Sequence, residues 1–194
     1  MIVTCIVAGG SGTRMGQAVP KQFLPLLGEP VLVHTVRRFW QISDLILVGT
    51  HPAYVQQTRQ LLPQKRVQVI AGGKSRMETV QRLAAALQCG EKDVVLTHDA
   101  VRPFVSERML RQSVEQARRV GACGVFVPCV DTIAVSQDGL QLESVPPRRS
   151  LYQVQTPQTF LYGTLMQLLP HAHEGLTDLC GLAVEQGQPV AMVE

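Results

Sequence analysis

An apolar run from Met1 to Ala8 breaks into three glycines within four positions, Gly9, Gly10 and Gly12. The run is short and lightly flanked, which makes it a buried strand. Peptide N–H groups in the glycine turn can face a ligand that any Cβ would hold away, a geometry suited to an anion. Arg14 and Lys21 add two positive charges close by, and Pro20 stiffens the segment that carries the lysine. The stretch reads as a clamp for a polyphosphate. The plainer alternative is a flexible strand-to-helix turn with two solvated cations.

Spacing excludes two better-known phosphate loops. A P-loop needs lysine and then Ser or Thr directly after its last glycine, whereas Thr13 and Arg14 follow Gly12. A dinucleotide fingerprint needs a third glycine where Met15 stands, and no acidic residue ends a strand about 20 residues later to hold a ribose.

Beyond the loop, Leu32, Val36, Phe39 and Trp40 recur at helical spacing, Leu45 to Val48 is a short buried strand, and a helix is expected through Tyr54 to Leu62. A third strand, Val67 to Ala71, ends in Gly72-Gly73-Lys74-Ser75-Arg76, and a helix should run from Met77 to about Gln88. Such a glycine turn opening onto a helix N-terminus would offer further donors to a nucleotide. The fourth strand, Asp93 to Thr97, leads into His98-Asp99-Ala100-Val101-Arg102-Pro103-Phe104. Asp99 is placed either to ligate Mg²⁺, which takes oxygen ligands and substrate phosphates, or to serve as a loop or N-cap aspartate. His98 is expected to pack in the loop without a catalytic role. Alternating short strands and amphipathic helices predict an α/β fold with a doubly wound, mainly parallel sheet. Ligands of such sheets collect beyond the carboxyl ends of the strands.

After a helix from Arg108 to Arg119 and a strand from Val125 to Pro128, the alternation stops. Asp131 to Ser136 and Leu140 to Val145 flank Gln137-Asp138-Gly139, a hairpin turn signal. The hairpin should project as an arm over about residues 131–150. Its apolar positions Ile133, Val135, Leu140 and Leu142 need a partner surface, most simply a homodimer. Tyr152 to Phe160 then returns the chain to the sheet.

At 194 residues the chain is expected to form one domain. A net charge of +3, with its arginine doublets far apart, gives no basic patch for nucleic acid. No run of about 18 apolar residues and no basic leader is present, so the default is a cytoplasmic enzyme and no membrane partner. Five cysteines without a CxxC pair read as buried thiols, not zinc ligands or disulfides.

Taken in order, Ala8 to Met15 with Pro20-Lys21, His98 to Phe104, Val130 to Ile133 and Tyr152 to Phe160 resemble the signature segments of polyol-phosphate cytidylyltransferases, which have a Rossmann-like nucleotidyltransferase fold. Val101, the run Gln155-Thr156-Pro157-Gln158 and Thr177 to Cys180 are more similar to the ribitol-5-phosphate branch than to its sister, the methylerythritol-phosphate branch. The resemblance implies CTP as donor and Mg²⁺ as cofactor. Ala8, Gly9, Gly10, Ser11, Gly12 and Thr13 would line the nucleotide, and Arg14 and Lys21 would hold its triphosphate. Gly73 and Thr79 would stand near the cytosine and ribose, and Asp99 would hold the metal. Arg102 and Thr156 would face the acceptor, with Thr132 and Arg148 reaching its phosphate from the other subunit's arm. A nucleotide-binding homologue without turnover is the alternative outside the enzyme class. The family also continues after the strand at Val190 to Glu194 into Gly-x-x-x-Asn-x-Lys, with another phosphate-binding lysine and often an acidic metal ligand. The sequence stops at Glu194, which reads either as a shortened chain or as a homologue with impaired turnover, nucleotide binding being expected to survive.

A phosphate monoester acceptor is largely dianionic at neutral pH, its second pKa being about 6, and needs no general base. The obstacle is charge on the α-phosphate and departing pyrophosphate, which cations relieve. Arg14→Ala and Lys21→Ala are therefore expected to fold normally and be nearly inactive.

Overall fold

Strands that are apolar on both faces need helices on both sides, and the chain supplies them. The computed structural model describes residues 1–10, 19–176 and 178–194. The first strand, β1 (Ile2–Ala8), shows the principle: Ile6 and Ala8 point into one core while Val3 and Cys5 point into the other.

A small hairpin, β2 (Pro25–Leu26) and β3 (Glu29–Pro30), turns through Leu27 and Gly28, both at positive φ. It leads into α1 (Val31–Arg38), then β4 (Leu45–Thr50), α2 (Val55–Leu61) and β5 (Val67–Ala71). Next come α3 (Arg76–Ala85), β6 (Val94–Asp99), α4 (Glu107–Val120) and β7 (Ala122–Pro128). The chain closes with β8 (Tyr152–Leu161), α5 (Tyr162–Leu168), α6 (Leu179–Glu185) and β9 (Ala191–Val193). Local chemistry sets the helix ends. Ser106 caps α4 by accepting from Met109 N–H at 3.2 Å, and Gly121, at φ 98°, lets the chain leave it in a left-handed turn.

The seven-stranded sheet has the order β5-β4-β1-β6-β8-β7-β9. Its strands run parallel except β8, which is antiparallel to both β6 and β7. Helices α1, α2 and α4 cover one face, and α3, α5 and α6 the other. The expected doubly wound, mainly parallel α/β sheet is therefore present, with one reversed strand. Phe160 on β8 is fully buried in the second core. Phe160→Ala is expected to cost about 3–5 kcal/mol, read from urea unfolding. Cys5, Cys123 and Cys180 pack in the interior, where burial pushes their thiols up to about 12. No helix among the described residues is long and apolar enough to cross a membrane.

The arm differs from its expected form. β7 and β8 are themselves one long antiparallel pair, running from Ala122 opposite Phe160 to Pro128 opposite Tyr152, and the arm is the excursion between them. Within it the two expected strands are reduced to a single bridge, Val135 to Ser144. The Gln137-Asp138-Gly139 turn is held by the Asp138 carboxylate, which accepts from Leu140 N–H at 2.8 Å and Gln141 N–H at 2.9 Å. An isolated two-stranded ribbon is marginal in water, and among the described residues no third strand lies beside this one. Its apolar side chains stay outside, with Leu140 89% and Leu142 65% exposed.

Candidate active site

Parallel registry brings several strand ends to one rim. Ala8 stands opposite Thr50, Thr50 opposite Ala71, and Val7 opposite Asp99. The chain builds outward from β1 to β4 and β5, then crosses to β6 on the other side, so the strand order reverses between β1 and β6. Ligands of open α/β sheets bind at such a reversal. Here the Gly9-Gly10 turn flanks it on one side and Asp99 on the other.

The two glycine turns meet. A Cβ on Gly9 would lie 3.1 Å from the Thr79 hydroxyl and 3.9 Å from the Gly73 carbonyl oxygen, whereas one on Gly10 would meet nothing within 4 Å among the described residues. Gly9 thus allows a close approach to the second turn. Three donors of that turn are already used. Gly72 N–H donates to Thr50 O at 2.6 Å, Gly73 N–H to Thr79 Oγ1 at 3.0 Å, and Lys74 N–H to Glu78 Oε2 at 2.7 Å. Thr79 is fully buried, and its own hydroxyl donates to Ser75 O at 2.9 Å. It stands behind the Gly73 turn and holds its shape.

Across the reversal, Asp99 ends β6 between two guanidinium groups. Its Oδ1 accepts from Arg76 Nε at 3.2 Å and its Oδ2 from Arg102 Nε at 3.0 Å. Arg102 also donates through Nη1 to Gln155 Oε1. The Asp99 N–H reaches Thr156 Oγ1 at 3.4 Å. Asp99 and Arg102 therefore form one cluster with the distant Thr156, and the cluster also contains two residues to which the sequence assigned no place in the site, Arg76 and Gln155. Arg76 Nη1 is buried without a hydrogen-bond partner. Its one outward sign was its place at the start of α3, directly after the second glycine turn.

The loop that carries Arg102 is held by its carbonyls. Thr35 donates to Ala100 O at 2.8 Å, Arg38 Nε to Pro103 O at 2.8 Å, and His98 Nε2 to Arg102 O at 3.0 Å. His98 is buried against Phe39, ring centroids 4.9 Å apart, and burial pushes its pKa down to about 4. It is neutral at physiological pH and serves as a strut.

Lys21 is half-buried and opens a 3₁₀ turn, Lys21–Phe23, in which Phe23 packs into the core beside Tyr54. The adjacent Gln22 is buried and donates to both Ala8 O and Gly10 O. Ser11, Gly12, Thr13 and Arg14 lie outside the described residues. Thr132 and Arg148 sit exposed on the arm, and Arg148 donates to Val130 O at 2.8 Å. No described contact brings either to the Asp99 cluster of the same chain.

Among the described residues, no group of three acidic, histidine or cysteine side chains could enclose a metal. Mg²⁺ is commonly held by one or two carboxylates together with substrate phosphates and water; Asp99 offers one carboxylate at the rim, its two oxygens engaged by Arg76 and Arg102.

A glycine crevice on one side of the reversal and an anion-receptive cluster on the other suit a nucleotide and a second phosphate. Comparison with known proteins agrees. The family model IspD, 2-C-methyl-D-erythritol 4-phosphate cytidylyltransferase, matches residues 2–194. The chain is similar to the 2-C-methyl-D-erythritol 4-phosphate cytidylyltransferase from Thermus thermophilus, at 32% identity and TM-score 0.78, over 100% of this chain and 89% of that one. It shares the fold of the 4-diphosphocytidyl-2C-methyl-D-erythritol synthase from Anaerococcus prevotii, at 24% identity and TM-score 0.86, over 100% of this chain and 86% of that one. These names belong to the methylerythritol branch and weigh against the sequence-based preference for the ribitol branch. The match over nearly the whole length, the shared fold and the paired sites place this chain in the IspD family of CTP-dependent cytidylyltransferases.

Proposed function

We propose that this protein transfers the cytidylyl group of CTP to 2-C-methyl-D-erythritol 4-phosphate and releases pyrophosphate. The observation that carries the reading is the placement of the Gly9–Gly73 crevice and the Asp99–Arg102 cluster on opposite sides of the β1/β6 reversal. Such spacing suits two anions brought together head to head.

In this reading an oxygen of the acceptor phosphate attacks the α-phosphorus of CTP. The bond from that phosphorus to the α–β bridging oxygen breaks, and pyrophosphate leaves with the electron pair. Ala8, Gly9 and Gly10 seat the nucleotide. Lys21, with Arg14, neutralises the triphosphate and the departing pyrophosphate. Arg102 is oriented by Asp99 and Gln155 to hold the acceptor phosphate, and Thr156 lines the same side. Asp99 would hold Mg²⁺, which supplies electrostatic relief at the phosphoryl oxygens when bound. The exposed apolar arm supports a homodimer in which Thr132 and Arg148 reach the partner's acceptor site.

D-Ribitol 5-phosphate is kept as a second reading because Val101, the run Gln155 to Gln158 and Thr177 to Cys180 are more similar to that branch. Incubation with CTP, Mg²⁺ and each acceptor, followed by pyrophosphate release, decides between them. The methylerythritol phosphate is expected to give a kcat/KM at least about tenfold above ribitol phosphate, a gap of about 1.4 kcal/mol in transition-state binding. The reverse order would install the second reading. CTP binding with no product from either acceptor would count against both readings.

A further inference from the structure

Gln22 is polar and only 3% exposed, and it lies between Lys21 and the core residue Phe23. Its single amide nitrogen donates both hydrogens back to the first strand and turn, to Ala8 O at 2.8 Å and Gly10 O at 3.2 Å. The two carbonyls flank Gly9, whose missing Cβ lets the turn approach Thr79 and Gly73. A glycine turn is conformationally permissive, so some contact must choose one of its shapes. Gln22 makes that contact from the neighbouring 3₁₀ turn. Phe23 fixes the same turn in the core, and the turn closes on itself through Phe23 N–H to Pro20 O at 2.9 Å.

We propose that Gln22 is a positioning residue for the reaction: it locks the Gly9-Gly10 turn to the Lys21 segment, so that peptide groups and ammonium meet the triphosphate as one preformed unit. The inference rests on the nucleotide reading of that turn. The residue type follows from the geometry. Asparagine falls one methylene short. Glutamate is isosteric but, when ionised, has no donor and repels both carbonyls. Methionine keeps the shape and lacks both hydrogens. Catalytic groups held loosely lose much of their effect, so the loss should appear in CTP binding and turnover and not in acceptor binding.

The test uses the full chain, with CTP titrated calorimetrically in Mg²⁺ and steady-state rates measured on the same samples. Gln22→Met is expected to weaken CTP binding about tenfold, the scale of two lost hydrogen bonds. Its kcat should fall by about as much, with the acceptor KM unchanged within twofold. Gln22→Glu supplies a readout that a space-filling role would not move. At pH 8 it should bind CTP no better than Gln22→Met. At pH 5.5 its buried carboxyl is protonated and regains one donor, so it should bind CTP more tightly than Gln22→Met at the same pH. Equal binding by the two variants at pH 5.5 would overturn the proposal, and so would a Gln22→Met protein within twofold of wild type. If Gln22→Met does not fold, the comparison passes to Gln22→Glu alone, whose CTP affinity relative to wild type must rise as pH falls; a flat ratio overturns the proposal. Wild-type protein that fails to bind CTP would overturn the nucleotide reading and this inference with it. Wild-type binding with indifferent variants overturns the inference alone.

Discussion

Lys21→Ala is expected to lower kcat/KM about a hundredfold, corresponding to about 3 kcal/mol of lost transition-state stabilisation. The lysine sits on a turn fixed on either side of it, by Pro20 before and by Gln22 and Phe23 after. No carboxylate pairs with it among the described residues, so its charge is available for a ligand. Removing it leaves the turn's anchors in place, and the thermal midpoint should stay within a few degrees of wild type. Lys21→Arg should recover part of the rate, because the charge returns with a different shape and reach. Pyrophosphate release at saturating Mg²⁺ is the measurement, and turnover within threefold of wild type in the alanine variant would remove Lys21 from the triphosphate site.

Asp99→Asn is expected to cost about two to three orders of magnitude in kcat, on the scale of losing a preorganised charge at the reacting phosphates. The substitution keeps the size of the side chain and removes the negative charge that faces both Arg76 and Arg102. Two effects should therefore appear together. The Mg²⁺ concentration for half-maximal rate should rise, and the acceptor KM should rise as Arg102 loses its Nε partner. A variant with slowed turnover but unchanged Mg²⁺ and acceptor dependence would leave Asp99 as a structural loop residue.

Much of this arrangement is legible in the residues alone. The strand Val67 to Ala71 is observed with the same limits, because β-branched residues between a charged turn and a glycine pair leave few other options. Asp99 is legible for a similar reason, as a carboxylate at the end of an apolar run. Apolar periodicity reports which side chains are buried and is silent on strand direction, so β8's reversal is not visible in it. Direction follows from β7 and β8 being consecutive partners. Nor can spacing show that Arg102 meets Gln155 fifty-three positions later, or that Gln22 reaches back fourteen to Ala8. Such pairs exist only once the sheet sets the distances. The second glycine turn misleads for another reason. Glycines advertise backbone freedom, but whether their N–H groups remain available depends on neighbours such as Thr79 and Glu78, which have already taken them.

The reversal of strand order divides the chain by task in this reading. What grips the donor comes almost wholly from residues before position 80, and what faces the acceptor from those after 98; Arg76 reaches across, and the β1–β6 ladder is the seam. A lineage could therefore exchange one sugar alcohol for another by remodelling the later half, while inheriting its grasp of the nucleotide intact.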